Sequence, residues 1–223
     1  IGFWNFKRAP GFFDVVCYKG NDTTNRTITH NLGVIPELMI VKARTDTGFA
    51  PANDWNVVNF GVKGTYYSEG ILNITSSFNT TGMRLNVSVA PTATAVAITG
   101  PDSSYGNYSP NTYVCYLFAS CPGVSKVGSY TGNGTSQTIN CGFAAGARFI
   151  LIKRTDSTGD WYVWDSARGI VSGNDPHLSL NTTAAEVTTD DSIDPDSTGF
   201  IVNQVAATNI NVNAATYIYL AIA

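Results

Sequence analysis

An internal repeat is the feature that most constrains the fold, because two halves with matching sequences are expected to adopt the same local structure. The segment TYVCYLFA at residues 112–119 returns as TYIYLAIA at residues 216–223. Other matches follow in the same order: CYKGN (17–21) with SYTGN (129–133), TITHNLGVIPELMIVK (27–42) with TINCGFAAGARFILIK (138–153), RTD (44–46) with RTD (154–156), DW (54–55) with DW (160–161), LN (72–73) with LN (180–181), and TGMRL (81–85) with TGFIV (198–202). The chain therefore contains two consecutive copies of one structural plan.

The repeat divides the 223 residues into three parts. Residues 1–12 match neither copy and form an N-terminal arm. The first copy runs over residues 13–120 and the second over residues 124–223, with the junction SCPGVSK between them, where a proline–glycine pair predicts a turn. Each copy has about 100 residues, a common size for one compact domain.

The apolar segments within each copy are short and rich in β-branched and aromatic residues, as in DVVCY, ELMIVK, RFILIK and YIYLAIA. Clusters of turn-forming residues, such as GNDTTN and SGNDP, separate them. Strand-length runs with this punctuation are typical of sandwiches and barrels, and no helical periodicity competes with the pattern. We therefore expect an all-β protein of two tandem β-sandwich units, jelly-roll-like, behind a short N-terminal arm.

The composition limits the classes of partner. Hydrophobic residues make up 43% of the chain and charged residues 13%, which is enough apolar material for a core. A net charge of −3 gives no electrostatic reason to bind nucleic acid or an anionic membrane. The longest apolar runs, at 113–119 and 217–223, are strand-sized, so no membrane insertion is expected.

Three aromatic rings in DWYVWD (160–165) are the candidate ligand contacts. Strand alternation places Trp161 on one face and Tyr162 and Trp164 on the other. Trp55 occupies the place of Trp161 in the first copy, which favours a core position for that ring. Tyr162 and Trp164 then lie on the more variable face, where they either stack on sugar rings or pack within the sheet.

An acidic loop in the second copy is a weak candidate for a metal site. It carries Asp190, Asp191, Asp194 and Asp196, and oxygen-rich loops of this kind can hold Ca²⁺. The spacing does not match an EF-hand, and the first copy has no acidic residue in the segment ITSSFNTTG (74–82) that takes this place. A solvated surface loop is the favoured interpretation, and no metal site is predicted.

Catalytic motifs do not emerge from the sequence. His30 and His177 are the only histidines, and they do not occupy matching places in the two copies. No GxSxG elbow occurs, and the glutamates that paired-carboxylate chemistry would need are scarce. No catalytic residue and no cofactor are predicted, so the chain is not expected to be an enzyme.

The four cysteines are too few for a disulfide scaffold. If the first and last strands of the first copy are neighbours, Cys17 and Cys115 could approach each other closely enough to form a bridge. The second copy has Ser129 and Tyr219 at these places. A bridge is therefore no part of the shared plan, and free thiols are the favoured interpretation.

The N-terminal arm combines aromatic rings with a basic pair, which is typical of interfaces. The candidate assembly contacts are Phe3, Trp4, Phe6, Lys7 and Arg8. Two alternatives are equally open: the arm binds another protein, or it packs on its own domain.

A family resemblance adds to this reading. The segments FKRAPGFFDVVCYKG, HNLGVIPELMIVK, VSKVGSYTGNGTSQTINCGF, LIKRTDSTGDWYVWDSARG, HLSLNTTAAE and ATYIYLAIA resemble a tandem-repeat β-domain of bacteriophage tail-fibre and other virion surface structural proteins, of the marine and environmental phage type. The resemblance covers nearly the whole chain and is strongest over residues 124–223. It brings no catalytic motif. It implies a location on the virion surface after assembly in the host cytoplasm, which agrees with free thiols.

The leading hypothesis is therefore a non-enzymatic virion structural protein, a tail fibre or spike component that contacts the host surface. Its expected partners are other virion proteins, further copies of the same chain, with a trimer favoured, and a host surface glycan or protein. Three rivals remain: a capsid decoration or head-fibre protein anchored by the arm, a secreted carbohydrate-binding module, and a polysaccharide depolymerase.

Overall fold

The computed structural model describes residues 4–45, 54–82, 84–98 and 105–223. Within these ranges the protein is built from antiparallel β-strands and contains no α-helix, so it has no helix of the length and hydropathy that a membrane span requires. The chain separates into two compact units. Unit 1 comprises Ile1–Ile71 and Asn79–Ala119, and unit 2 comprises Leu72–Phe78 and Ser120–Ala223.

The described residues of unit 1 form seven strands. They are β1 (Phe13–Lys19), β2 (Arg26–Thr29), β3 (Leu38–Ala43), β4 (Trp55–Lys63), β5 (Tyr67–Ile71), β6 (Ala95–Ile98) and β7 (Thr112–Phe118). Five of them form one sheet in the order β1-β7-β3-β4-β5, and β2 pairs with β6 in a second sheet. The first and last strands, β1 and β7, are neighbours.

Unit 2 is formed by eight strands. They are β8 (Ser125–Thr131), β9 (Ser136–Asn140), β10 (Phe149–Arg154), β11 (Trp161–Asp165), β12 (Leu178–Ser179), β13 (Ile193–Asp196), β14 (Gly199–Asn203) and β15 (Thr216–Ile222). The large sheet has the order β8-β15-β10-β11-β12, and the small sheet has the order β9-β14-β13.

The two units share one topology. Each large sheet begins at the first strand of its copy, continues through the last strand, and then follows the third, fourth and fifth strands. Each small sheet pairs the second strand with the strand that precedes the last one, β6 in unit 1 and β14 in unit 2. Strand β13 of unit 2 has no counterpart among the described residues of unit 1. The prediction of two all-β sandwich units of one repeated plan is confirmed.

One of the sequence matches is wrong. The match of TGMRL (81–85) with TGFIV (198–202) would place residues 81–85 in the strand that pairs with β2. That strand is β6 instead, so residues 94–98 are the counterpart of TGFIV. Backbone bonds agree, because the carbonyl of Thr94 accepts from His30 N at 2.9 Å and that of Thr198 accepts from Cys141 N at 2.9 Å.

Alternating side chains of both sheets build each core. In β7, for example, Tyr113, Cys115 and Leu117 are fully buried while the residues between them are partly exposed. They pack with Ile28 of β2 and Ile98 of β6 from the facing sheet. Burying apolar surface between two sheets in this way is the main driving force for such a fold.

All four cysteines are free thiols. Although β1 and β7 are neighbours, Cys17 lies opposite Val114, and Cys115 lies opposite Val16. The two thiols are therefore one register position apart and point to opposite faces of the sheet. Cys17 is exposed and Cys115 is buried, so a Cys17–Cys115 bridge is ruled out by the register.

A buried asparagine holds the loop that connects the first strand to the second strand in both units. In unit 2, the side chain of Asn211 donates to Asn133 Oδ1 at 2.9 Å and to Thr135 O at 3.2 Å. In unit 1, Asn107 donates to Asn21 Oδ1 at 2.8 Å and to Thr23 O at 2.9 Å. We call this arrangement the asparagine clasp.

A close backbone approach beside the clasp explains the glycine that precedes Asn21 and Asn133 in the two loops. A Cβ atom added to Gly20 would lie 2.1 Å from the carbonyl oxygen of Tyr108. One added to Gly132 would lie 2.1 Å from the carbonyl oxygen of Val212. Only glycine allows the two backbones to approach this closely, which accounts for the shared Gly-Asn pair in CYKGN and SYTGN.

Residues 72–78 belong to unit 2, although the sequence analysis assigns them to the first copy. The carbonyl of Thr75 accepts hydrogen bonds from Lys153 Nζ at 2.9 Å and from Gly159 N at 3.0 Å. The ring of Phe78 lies 5.8 Å from that of Trp161. These contacts place the segment over the fully buried Lys153 and Trp161 of strands β10 and β11.

Candidate functional site

The aromatic rings of β11 are not surface contacts. Tyr162 is 8% exposed and packs in the unit 2 core, together with the fully buried Trp164. Trp161, on the opposite face, is 1% exposed and lies against Phe78. Strand alternation assigns the three rings to the correct faces of β11. Both faces are buried, however, one in the unit 2 core and the other against Phe78. The prediction of a stacking platform formed by Tyr162, Trp164 and Trp161 is therefore wrong.

The four aspartates of the acidic loop point to different partners. Asp190 is buried and accepts a hydrogen bond from Ser192 Oγ at 2.9 Å. Asp191 and Asp194 share the amide of Asn203, at 3.1 and 2.8 Å. Asp196 caps its own turn by accepting from Thr198 N at 2.8 Å. Within the described part of the chain, no group of three acidic, histidine or cysteine side chains has a metal-binding arrangement.

The N-terminal arm packs at least partly on its own unit. Phe6 makes edge contacts with Phe13 at 5.9 Å and Phe118 at 5.8 Å between ring centroids, and Arg8 forms a 2.5 Å ion pair with Asp14. Trp4 is half-buried and Lys7 is exposed. Phe3 lies outside the described residues. A role of these residues in assembly stays a prediction.

A cavity of about 360 Å³ opens in unit 2. It is lined by Thr75, Arg154, the turn 158–160, Tyr162, the loop 207–210 and Tyr217. Cavities of this size can hold a small ligand. We call it the unit 2 pocket.

The turn 158–160 is fixed in place from both sides. Gly159 N donates to Thr75 O at 3.0 Å, and Gly159 O accepts from the buried ammonium of Lys153. Asp160 Oδ1 accepts from Asn181 Nδ2 at 2.7 Å. Burial lowers the pKa of Lys153 to about 8, while the nearby carboxylate of Asp160 works in the opposite direction. The pocket therefore presents its Asp160 carboxylate on a rigid turn.

The opposite wall is held by tyrosine hydroxyls. Tyr217 Oη accepts from Val212 N at 3.0 Å and donates to Asn209 O at 2.8 Å. Tyr162 Oη reaches Ala207 O at 3.3 Å and Asp160 Oδ2 at 3.4 Å. Both hydroxyls come from the large sheet, so the loop 207–210 is anchored to strands β11 and β15.

Arg154 lines the pocket, and its charge is neutralised by an ion pair. Arg154 donates from Nε and Nη2 to the two carboxylate oxygens of Asp156, at 3.0 and 3.1 Å. This bidentate contact lowers the pKa of Asp156 and raises the pKa of Arg154. The pair adds hydrogen-bonding groups to the rim without adding net charge.

Beneath the pocket lies a buried polar cluster formed by Asp175, His177, Asp190, Ser192 and Thr208. The imidazole of His177 packs edge-on against the ring of Tyr162, with 5.3 Å between centroids. Thr208 connects the cluster to the pocket, because it lines the pocket and its Oγ1 lies 2.8 Å from Ser192 Oγ. Burial lowers the pKa of His177, so the neutral imidazole is favoured.

This cluster contains the residue types of a Ser-His-Asp triad in the wrong arrangement. In a triad the serine hydroxyl bonds to the imidazole, and the carboxylate holds the other ring nitrogen. Here Ser192 Oγ bonds to the carboxylate of Asp190 and to Thr208 Oγ1, and Ser192 is fully buried. The hydroxyl is therefore placed to support the loop and not to attack a substrate.

Asp175 is a structural carboxylate. Its oxygens accept from Ser192 N at 3.2 Å and from Ile193 N at 2.9 Å. Glu69 plays the same part in unit 1, accepting from Arg84 N at 3.0 Å and Leu85 N at 3.1 Å. Burial raises the pKa of Asp175 to about 7, although the two amide bonds oppose it, and it raises the pKa of Glu69 as well.

The raised pKa of Asp175 predicts a pH dependence of stability. The folded chain keeps this proton after the unfolded chain has lost it, so the Asp175 contribution to the free energy of unfolding falls as the pH rises from about 4 to about 7. We expect the stability of Asp175→Asn relative to wild type to increase over this range in urea unfolding experiments. Parallel pH profiles of the two proteins would contradict the assignment.

Comparison with known proteins gives one family. Neither the curated proteins nor the solved structures include a match to the chain. The model of a domain of unknown function, DUF7483, matches residues 8–223. Because the match spans both units, the repeated pair, and not a single copy, corresponds to the family domain. The chain belongs to the DUF7483 family.

Proposed function

We propose that this chain is a non-enzymatic structural protein of a bacteriophage particle, a tail fibre or spike component that contacts the host surface through unit 2. Two things support the proposal. The sequence resembles virion surface proteins over nearly its whole length, and unit 2 carries a preformed polar pocket. In this proposal, the repeated sandwiches provide the scaffold, and the pocket provides the ligand contact.

The observation that carries the binding role is the rigidity of the unit 2 pocket. Its polar groups are already held by hydrogen bonds to the sheet or to one another, as at Tyr217 and Asp160. Preorganised groups lose little conformational entropy when a ligand binds, which favours recognition. The hydroxyl of Ser192 and the carboxylate of Asp190 are bonded to each other beneath the pocket, which favours binding over catalysis.

A capsid decoration or head-fibre protein is the second candidate. The exposed Lys7 and the half-buried Trp4 favour it, because an arm that is only partly packed on its own unit can also contact another virion protein. In that case the arm is the functional part and the pocket is incidental. A homotrimer remains our expectation for the fibre, where further copies and other virion proteins are the partners.

Competition with the particle tests the proposal. The purified chain, added in excess, is expected to slow adsorption of the phage to its host. Thr158→Trp places a bulky ring at an exposed position of the pocket rim and is expected to abolish that competition. Thr183→Trp adds the same ring at an exposed threonine outside the pocket lining and is expected to compete like wild type.

Cryo-electron microscopy of the particle supplies the second arm of the test. Copies at the distal end of the tail would support the fibre assignment. Copies on the capsid shell, with adsorption unaffected by the purified chain, would overturn it in favour of the decoration protein. Release of sugar from host envelope by the chain would contradict the non-enzymatic assignment.

A further inference from the structure

The internal repeat shows what occupies the place of the unit 2 pocket in unit 1. Asp54 of unit 1 matches Asp160, since each precedes the tryptophan that begins the fourth strand of its copy. Tyr105 matches Asn209, because each lies two residues before the asparagine of its clasp. Asp160 and Asn209 both line the pocket.

In unit 1 this place is filled by an arginine. The guanidinium of Arg84 forms an ion pair with Asp54 Oδ2, and its central carbon lies 4.5 Å from the ring centroid of Tyr105. Both contacts are therefore with the counterparts of pocket residues. Unit 1 uses one of its own side chains as an internal cationic ligand for the aspartate that both copies share.

Unit 2 has the aspartate without the arginine. Asp160 Oδ1 accepts from Asn181, and among the residues that the structure describes Oδ2 has the hydroxyl of Tyr162 as its one hydrogen-bond partner, at 3.4 Å. Over the described ranges of the chain, Asp160 forms no salt bridge with a lysine or arginine.

The two cations nearest the pocket are held by other partners. Lys153 donates to the carbonyls of Thr75 and Gly159, and Arg154 is paired with Asp156. Asp160 therefore retains capacity to accept a charge-assisted hydrogen bond from a bound cation.

The rest of the lining indicates a ligand with hydroxyl groups. Three residues with hydroxyl groups, Thr158, Thr208 and Tyr162, are among those that line the cavity. A cavity of about 360 Å³ is large enough for more than an ammonium group. A pyranose ring offers hydroxyls to these polar side chains.

We infer that the unit 2 pocket binds an amino sugar, whose protonated amine bonds to Asp160 in the place that the Arg84 guanidinium fills in unit 1. The inference rests on the proposed function and names the ligand class of its site. It excludes neutral and N-acetylated sugars as preferred ligands, because they lack the positive charge that pairs with the carboxylate.

Titration of the full chain with a matched sugar series tests the ligand class. The probes are D-glucosamine, N-acetyl-D-glucosamine and D-glucose, followed by isothermal titration calorimetry. We expect glucosamine to bind at one site per chain, at least about tenfold more tightly than either neutral sugar. Equal binding of the three sugars, or none at all, would overturn the inference.

Variants locate the site. Asp160→Asn is expected to weaken glucosamine binding by about tenfold or more, because it removes the charge while keeping the shape. Asp54→Asn removes the matching charge in unit 1 and is expected to bind like wild type. Tyr162→Phe, which loses only a hydroxyl, provides a second variant whose binding should weaken. Unchanged binding in both pocket variants would refute the location.

Further outcomes distinguish the amino-sugar inference from a protein ligand and from the proposed function. Binding of L-argininamide, but not of glucosamine, would indicate a protein side chain as the ligand and would overturn the sugar assignment. Glucosamine that binds without affecting adsorption would sustain the inference and refute the proposed function. If Thr158→Trp abolishes competition for adsorption but glucosamine does not bind, the proposed function would be supported and the amino-sugar inference refuted.

Discussion

Substitution of Asn211 by alanine is expected to lower the free energy of unfolding by about 3–4 kcal/mol. The side chain is fully buried and donates to Asn133 Oδ1, Thr135 O and Val202 O. Its oxygen accepts from Gln137 Nε2 at 2.7 Å. Alanine would remove these four hydrogen bonds at once, at about 0.5–1.5 kcal/mol each, and would leave the buried carbonyl of Val202 without this partner.

Urea unfolding of Asn211→Ala measures the effect. The matched control is Asn213→Ala, an exposed asparagine two residues away, for which a change within about 0.5 kcal/mol is expected. Asn107→Ala should destabilise unit 1 comparably, since it breaks the same clasp. If Asn211→Ala unfolds at the same urea concentration as its control, the clasp contributes little to stability.

Truncation of Trp164 to alanine is expected to cost about 3–5 kcal/mol. The ring is fully buried in the unit 2 core and packs against Tyr162 and His177, at 5.8 and 5.3 Å between centroids. Removing it leaves a large cavity between the sheets, and surrounding side chains fill such cavities only partly.

The comparison variant is Trp55→Ala, whose ring is only half-buried on β4 of unit 1. Its cost should be smaller by at least about 1 kcal/mol, because less apolar area is lost from the interior. The loss in the free energy of unfolding of both variants is measured by thermal or urea unfolding. A stable Trp164→Ala protein that has lost only ligand binding would restore the surface-platform interpretation, which burial of the ring contradicts.

The fold could be predicted because the repeat and the strand pattern are local signals. Apolar runs such as RFILIK and YIYLAIA have strand length and turn-forming neighbours, and their order is the same in both copies. The match with Trp55 predicts a buried Trp161, but it does not show that residues 72–78, which come from a distant part of the sequence, cover this face of β11. The burial of Tyr162 and Trp164 on the other face could not be predicted from alternation.

The pocket is harder to predict than the strands. Its walls are a turn at 158–160 and a loop at 207–210, which are brought together by the pairing of β10 with β15. Nothing near Asp160 in the sequence distinguishes it from Asp54, since both belong to the repeated DW pair. The difference lies in Arg84, a residue of a loop in which the two copies do not match.

The placement of residues 72–78 in unit 2 also determines the order in which the chain can fold during synthesis. This segment leaves the ribosome before the strands that complete unit 1, yet its partners Lys153, Thr155 and Trp161 are made much later. Unit 1 can assemble once residue 119 has been synthesised. Residues 72–78, which lie between two parts of unit 1 in the sequence, have no partners until β10 and β11 have been synthesised. Unit 1 can therefore fold before unit 2 is synthesised, but residues 72–78 of the first copy cannot reach their final position until then. Unit 2 in turn is complete only when it includes these residues of the first copy.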